Sequence, residues 1–291
     1  MNRLMMLVAT IILLSSPILA CVGARPLGMG GAFIGLADDA DATYWNPAAL
    51  AFQDHRQIKG MLILSDEVNY KSNLSYVSPI GQEETSAWGL NIIGYNKAYL
   101  GSEDSEDLYM RPSMVKLCYA RKFNDSFALG AALTRHATEF TWEYLGDEID
   151  SIDSDGFGID IAAYGRINDQ LTWGVLVQDV NEPTEDIEGT EIFKWIRNVR
   201  PGIAYRASEA LVFTADIYNL LGEADMDPTL CVGGEYKLPD GKYTIRGGMY
   251  QLGGESDAML ALGGSMQINE QFIVDAAVLD GKPIIGGSYT F

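Results

Sequence analysis

From about residue 57 onward the chain alternates apolar and polar positions in runs of about ten residues, with turn residues between the runs. Leu230, Val232, Gly234, Tyr236 and Leu238 share one side of such a run, opposite Thr229, Cys231, Gly233, Glu235 and Lys237. Phe272, Val274, Ala276 and Val278 repeat the pattern, as do Phe157, Ile159, Ile161 and Ala163. A period of two is the signature of strands with one apolar face. About fourteen are predicted, over 57–65, 68–79, 86–95, 111–122, 126–137, 155–166, 170–179, 197–207, 209–219, 229–238, 242–251, 256–267, 270–279 and 283–291. The last run carries Tyr289 and Phe291, so its apolar face reaches the final residue and needs an apolar neighbour there.

The connections sort into two kinds. "KFND" (121–124), "IND" (167–169), "ASE" (207–209), "LPDG" (238–241) and "INE" (268–270) are brief turns. "GSEDSED" (101–107), "GDEIDSIDSD" (146–155), "DVNEPTEDIEGTE" (179–191) and "GEADMD" (222–227) read as long acidic loops. Over the middle of the chain the two kinds alternate, which predicts a barrel with brief turns on the periplasmic side and longer loops outside.

A strand in a soluble sandwich alternates too. Three features favour the membrane. The apolar faces carry almost no charge, whereas the opposite faces carry Lys59, Lys71, Lys116, Asp160, Arg166, Asp216, Glu235, Arg246 and Asp275. Trp88, Tyr119, Tyr205, Tyr243 and Tyr289 recur near run ends, where an interfacial girdle sits. A closed barrel leaves no edge strand, so its backbone is satisfied within lipid. The expected fold is all-β: a transmembrane antiparallel β-barrel of about fourteen strands in the outer membrane of a Gram-negative bacterium.

Composition narrows the partners. The 40 acidic and 20 basic residues give a net charge of −20, which argues against nucleic acid. Residues 1–20 read as an export signal, with Asn2 and Arg3 before the apolar run Leu4–Leu14 and Ala20 at a cleavage position. Cys21 directly follows and is a candidate for lipidation, the alternative being an ordinary cut beside an incidental cysteine. Cys118 and Cys231 lie far apart, and an odd total gives no disulfide framework. His55 and His136 read as incidental residues at strand ends, and no nucleophile–base pair stands out. The chain is therefore not read as an enzyme, and no cofactor or metal is expected. "DSIDSDG" (150–156) resembles part of a calcium loop, but Ser151 holds the first ligand position and the closing Glu is missing, so a solvated loop is expected.

Residues 23–52, "GARPLGMGGAFIGLADDADATYWNPAALAF", break the strand pattern. Gly28, Gly30 and Gly31 permit close backbone packing, and the Lys-Ser or Lys-Thr of a phosphate loop does not follow them. Asn46 is suited to cap a short helix and Pro47 to begin it. The run from Gly23 to Leu50 resembles the amino-terminal hatch of the FadL-like outer-membrane proteins, and most of all their PorV/PorQ-like and UPF0164-like branches. Gly23-Ala24-Arg25, Leu27 to Phe33, Ala37-Asp38-Asp39-Ala40 and Trp45-Asn46-Pro47-Ala48 carry the resemblance.

The resemblance implies that residues 21–55 fold as a plug inside a barrel built from 56–291, with Asp38, Asp39, Trp45, Asn46 and Pro47 as candidates for fixing it. Luminal charges are then expected to form a cross-lumen network around the plug. Passage of small hydrophobic molecules across the outer membrane is the implied function. A non-transporting scaffold for protein secretion or surface attachment is the alternative offered by the PorV branch. Implied partners are outer-membrane lipid, the barrel-assembly machinery (with Tyr289 and Phe291 as its signal), and hydrophobic small molecules or secretion proteins. The chain is shorter than the fatty-acid transporters, with smaller outer loops, which weighs against transport.

Overall fold

The first strand of the sheet meets the last. In the computed structural model, which describes residues 21–291 apart from 66–68, 82–84, 97, 104–105, 188, 224–225 and 255–256, Gln57 to Ile63 pair antiparallel with Thr290 to Ile284. The segment read as an export signal lies outside the described residues. In chain order the strands are β1 (Gln57–Ser65), β2 (Asn69–Ile80), β3 (Ser86–Tyr95), β4 (Ala98–Glu103), β5 (Glu106–Asn124) and β6 (Phe127–Tyr144). There follow β7 (Asp147–Arg166), β8 (Leu171–Gln178), β9 (Thr184–Ile187), β10 (Thr190–Lys194), β11 (Asn198–Arg206) and β12 (Leu211–Tyr218). The last five are β13 (Thr229–Lys237), β14 (Tyr243–Leu252), β15 (Met259–Gln267), β16 (Phe272–Leu279) and β17 (Lys282–Thr290).

Strand β3 pairs directly with β5, and β8 with β11, so β4, β9 and β10 stand outside the wall. Among the described residues the wall is a closed antiparallel barrel of fourteen strands, one for each alternating run. Closure leaves no unpaired edge at the seam, where the Phe291 N–H also donates to the Arg56 carbonyl (3.0 Å).

Three of the expected acidic loops instead contain strand. Residues 101–103 end β4 and 106–107 begin β5; 147–155 belong to β7; 184–187 and 190–191 lie in β9 and β10. The cause is an apolar cluster of Leu108, Phe140, Trp142, Ile187 and Ile192, with Leu100, Met110 and Ile152 packed against it. Acidic residues alternate with these apolar ones, so the strands continue past the membrane instead of breaking. At 19, 18 and 20 residues, β5, β6 and β7 far exceed the length of about 9–11 that crosses a bilayer. "DSIDSDG" is extended in β7, where successive side chains point to opposite faces and do not wrap a cation.

The face opposite the lumen is greasy. Leu62, Leu74, Ile92, Leu117, Leu133, Phe157, Ile161, Ile203, Phe213, Ile245, Leu260, Leu262 and Ile285 are all exposed. A continuous apolar surface of that extent is a lipid contact, and its removal from water is the dominant favourable term for membrane residence. Tyr119, Tyr205, Tyr243, Tyr289 and Phe291 are exposed near the end bearing the short turns, and the last two meet edge to face at 5.0 Å. Of the charged residues assigned to the other face, Lys59, Lys71, Lys116, Asp160, Asp216 and Asp275 are buried. Arg166 departs from them: it is exposed, with its guanidinium 4.3 Å over the Phe52 ring.

Candidate functional site: the segment enclosed by the wall

Every residue from 21 to 51 is buried except Arg25 and Asp38, which are half-buried. The wall that encloses them is built from small residues at this level: Ala87, Ala120, Ala128, Ala132, Ala162, Ala204, Ala261 and Ala277 are all buried in one apolar cluster with Met29, Phe33, Ile34, Leu36, Trp45 and Leu50. Backbone lies on backbone where the wall or the segment has glycine. A Cβ on Gly130 would stand 2.4 Å from the Ala48 nitrogen, and one on Gly35 would stand 2.5 Å from the Ile203 backbone. Gly30 has φ 65° and Gly31 φ 72°, the left-handed conformation that turns the segment back after its first helix.

Three short helical pieces shape the segment: α1 (Ala24–Gly28), α2 (Ala42–Trp45) and a 3-10 helix (Pro47–Phe52). Asn46 is extended, and its Oδ1 accepts the Ala48 N–H at 3.1 Å, with Pro47 as the first residue of the 3-10 helix. Its amide group also donates to the carbonyls of Ile34 (3.0 Å) and Ala163 (3.2 Å), so one side chain joins two parts of the segment to β7. Trp45 Nε1 donates to the Val22 carbonyl at 2.8 Å, and its ring meets Phe33 and Tyr44 edge on.

Wall side chains satisfy the irregular backbone that a plug brings into a low-dielectric interior. Asp216 Oδ2 accepts the N–H groups of Phe33 and Ile34. Thr172 donates to the Gly35 carbonyl (2.6 Å), Lys71 to that of Cys21 (2.7 Å) and Cys118 to that of Thr43 (3.2 Å).

At the end with the short turns the contact is ionic. Arg25 reaches Asp38 at 2.6 Å, Asp39 at 2.9 Å and Glu235 of β13 at 3.0 Å. Asp38 also meets Arg206 (2.8 Å), Asp39 meets Lys59 (2.8 Å), and Arg246 holds Glu235 (3.0 Å) and Asp275 (2.9 Å). A cavity of about 280 Å³ opens onto this network, lined among others by Arg25, Asp38, Lys59, Arg206, Glu235 and Arg246. Burial opposes ionisation of Asp39, but Lys59 and Arg25 outweigh it and hold its carboxyl well below the ordinary carboxylate range.

The expected site residues therefore fall into two groups. Asp38 and Asp39 sit in the ionic network, whereas Trp45, Asn46 and Pro47 lie deeper, on the apolar contact. Lys59, Arg206, Glu235 and Arg246 complete the network from strands far away in sequence; their polar-face positions on the alternating runs were the available signal. Cys21 is buried, with its sulfur 3.1 Å from the Tyr250 hydroxyl, and all three thiols are free. His55 is half-buried beside the exposed Asp54. His136 is not an incidental residue at a strand end: it is buried, bonded to Asp179 at 3.0 Å and stacked on Trp195 at 4.0 Å.

The family model for the type IX secretion system protein PorV matches residues 8–174, more than half of the chain. The chain belongs to the PorV family. Comparison with curated protein sequences finds no match. Solved structures resemble this PorV-family barrel along nearly its whole length. The toluene transporter TbuX of Ralstonia pickettii superposes with a TM-score of 0.69 at 14% identity, covering 94% of this chain and 97% of its own. The Pseudomonas putida toluene transporter TodX gives 0.71 at 15% identity, with 92% and 97% covered. A Pseudomonas aeruginosa FadL homologue gives 0.64 at 14% identity, with 92% and 95% covered. The fold is thus that of the FadL-like outer-membrane barrels, carried here by a member of the PorV family.

Proposed function

We propose that this barrel passes small hydrophobic molecules across the outer membrane, and that residues 21–52 act as the plug whose displacement opens the route. One observation carries the reading: beside the ionic network and polar anchors such as Asp216 and Lys71, the segment meets the wall through one continuous apolar cluster of alanine, aliphatic and aromatic side chains. Displacing it bares the wall's small apolar residues between its polar anchors, a surface on which an apolar solute can rest. The ionic network at the periplasmic end is the clasp, because its charges are shared between segment and wall. Solved barrels of this fold include proteins described as toluene transporters, which supports the same reading. The test is uptake of a hydrophobic fluorescent probe by liposomes holding the purified barrel, with and without residues 22–52. Protein-dependent uptake that changes on deletion supports the proposal; no uptake from either form overturns it.

A second reading has its own support. The family model is that of a secretion-system protein, and β5, β6, β7, β9 and β10 build an acidic platform beyond the membrane. On that reading the barrel is a scaffold for secretion proteins. Co-purification of exported partners that is lost when residues 145–155 are replaced by a short turn, in a barrel inert to the probe, favours it.

A further inference from the structure

Charge on the lipid side of the wall is confined to one sector. Among the described residues, the outward positions of eleven of the fourteen wall strands carry no charged side chain. The exceptions are β5, β6 and β7, which carry Arg111, Arg121, Arg135, Glu139 and Asp155 there, and further acidic residues beyond them. Arg111 and Arg121 lie on the same face of β5, ten positions apart. That span matches the length of about 9–11 residues with which a strand crosses a bilayer. Arg121 follows Tyr119 at the end with the short turns, so it marks the inner border of the apolar band and Arg111 the outer one.

Register shapes the outer border. Arg111 is opposite Glu139, Ser113 opposite Ala137 and Val115 opposite Arg135. The two arginines thus stand on neighbouring strands four positions out of step, about 13 Å apart along the strands at about 3.3 Å per residue. Only the small side chains of Ser113 and Ala137 lie between them. Each arginine meets one carboxylate through one nitrogen: Arg111 Nη1 with Glu139 (2.9 Å) and Arg135 Nε with Asp155 (3.1 Å). Exposed pairs of this kind contribute little to stability, so stability does not account for charge on a face that meets lipid. A guanidinium carries five N–H donors, and most of these are left for another acceptor. On the membrane side of Arg135 the surface is apolar, with Val115, Leu133 and Phe157 exposed around it.

We infer that this patch docks a phosphorylated glycolipid of the outer leaflet. One phosphate sits on Arg111 and a second on Arg135; the sugar lies over Ser113 and Ala137, and acyl chains cover Val115, Leu133 and Phe157. Charge decides the occupant. At the outer border of this membrane the anions within reach of a lipid-facing guanidinium are headgroup phosphates, which its planar fork of donors matches. The magnesium that accompanies those phosphates lets Glu139 and Asp155 stand beside them by sharing the cation. The inference goes beyond the transport reading and does not depend on it: a barrel that passes solutes and one that only holds secretion proteins would carry the same lipid.

The experiment titrates bisphosphorylated lipid A, and the same lipid stripped of both phosphates, into the purified full barrel in detergent with magnesium. Native mass spectrometry reads the bound fraction. The wild type is expected to bind the phosphorylated lipid about tenfold tighter, and the double variant Arg111→Gln/Arg135→Gln to bind both forms alike. Arg121→Gln, which removes an outward arginine at the inner border, should keep the full preference. Heat-modified migration on gels reports whether each variant is folded; if the double variant is not, the wild-type preference and the two single variants, each with a reduced preference, decide. Equal binding of the two lipids by the wild type overturns the inference. So does a preference that survives loss of both outer arginines, or one that R121Q lowers as much as they do.

Discussion

Arg25 of the enclosed segment and Glu235 of β13, 210 residues apart in the chain, meet side chain to side chain, with Nε donating to Oε2 at 3.0 Å. Both groups are largely shielded from water, at 14% and 13% side-chain exposure. The pair ties the segment to the wall, and Arg246 makes it a shared contact. Replacing Glu235 by Ala leaves two guanidiniums facing each other without their common carboxylate. The expected loss is about 3 kcal/mol, the lower end for breaking a buried pair, because Asp38 and Asp39 still hold Arg25. Proteinase K cleavage within residues 21–52 of the folded barrel should rise in E235A; unchanged protection would contradict the clasp.

Asn46 is the deeper anchor. Asn46→Ala removes the cap on Ala48 and leaves the Ile34 and Ala163 carbonyls short of a donor. A cost of about 1–2 kcal/mol follows. It should appear as increased protease access to the segment, with the barrel itself still migrating as folded on a cold gel. A drop in barrel stability with a fully protected segment would assign Asn46 to the wall instead.

Gly130 tests the close approach of wall and segment. Gly130→Ala would put a methyl carbon 2.4 Å from the Ala48 nitrogen and 2.6 Å from the Pro47 carbonyl carbon, both backbone atoms. The clash should cost about 1–3 kcal/mol and push the 3-10 helix away. Probe uptake by liposomes is the readout: G130A should leak more than the wild type, and an equal rate would mean that the segment does not seal at this point.

Acid should release the clasp late. Asp39 has its carboxyl held below the ordinary range by Lys59 and Arg25, so its contribution is complete above about pH 4 and is lost as pH falls through its own lower value. Pepsin cleavage within 21–52 should be absent near pH 4 and present near pH 2. Cleavage that already begins between about pH 6 and pH 5 would show that Asp39 does not govern the seat.

The wall was legible because lipid imposes a strict period of two. Leu260, Leu262 and Ile285 stand on the exposed lipid face, so their alternation survives intact in the sequence. The extension of β5, β6 and β7 was hidden for the opposite reason. Beyond the membrane the outward residues, such as Asp153 and Asp155, are charged, and the apolar partners that hold the strands together, Phe140 and Ile192, are 52 residues apart in numbering. The seat of Asn46 could be guessed from Asn-Pro chemistry. Its bond to Ala163, like the pairing of Arg25 with Glu235, depends on register across the lumen, which no local pattern encodes. His136 was missed likewise: Asp179 and Trp195, which bury it, lie on connections that the sequence presents as solvated.

The account stands on the movement of one segment. Gly28 and Ala277 bring α1 against β16 closely enough that a Cβ on Gly28 lies 3.3 Å from that of Ala277, near the separation a disulfide needs. The double variant Gly28→Cys/Ala277→Cys should therefore lock the segment to the wall when oxidised and free it when reduced. Uptake of a hydrophobic probe by liposomes is predicted to fall to the protein-free rate on oxidation and to recover with reductant. Equal uptake in the two states would mean that solutes, if they cross at all, do so with residues 21–52 in their seat.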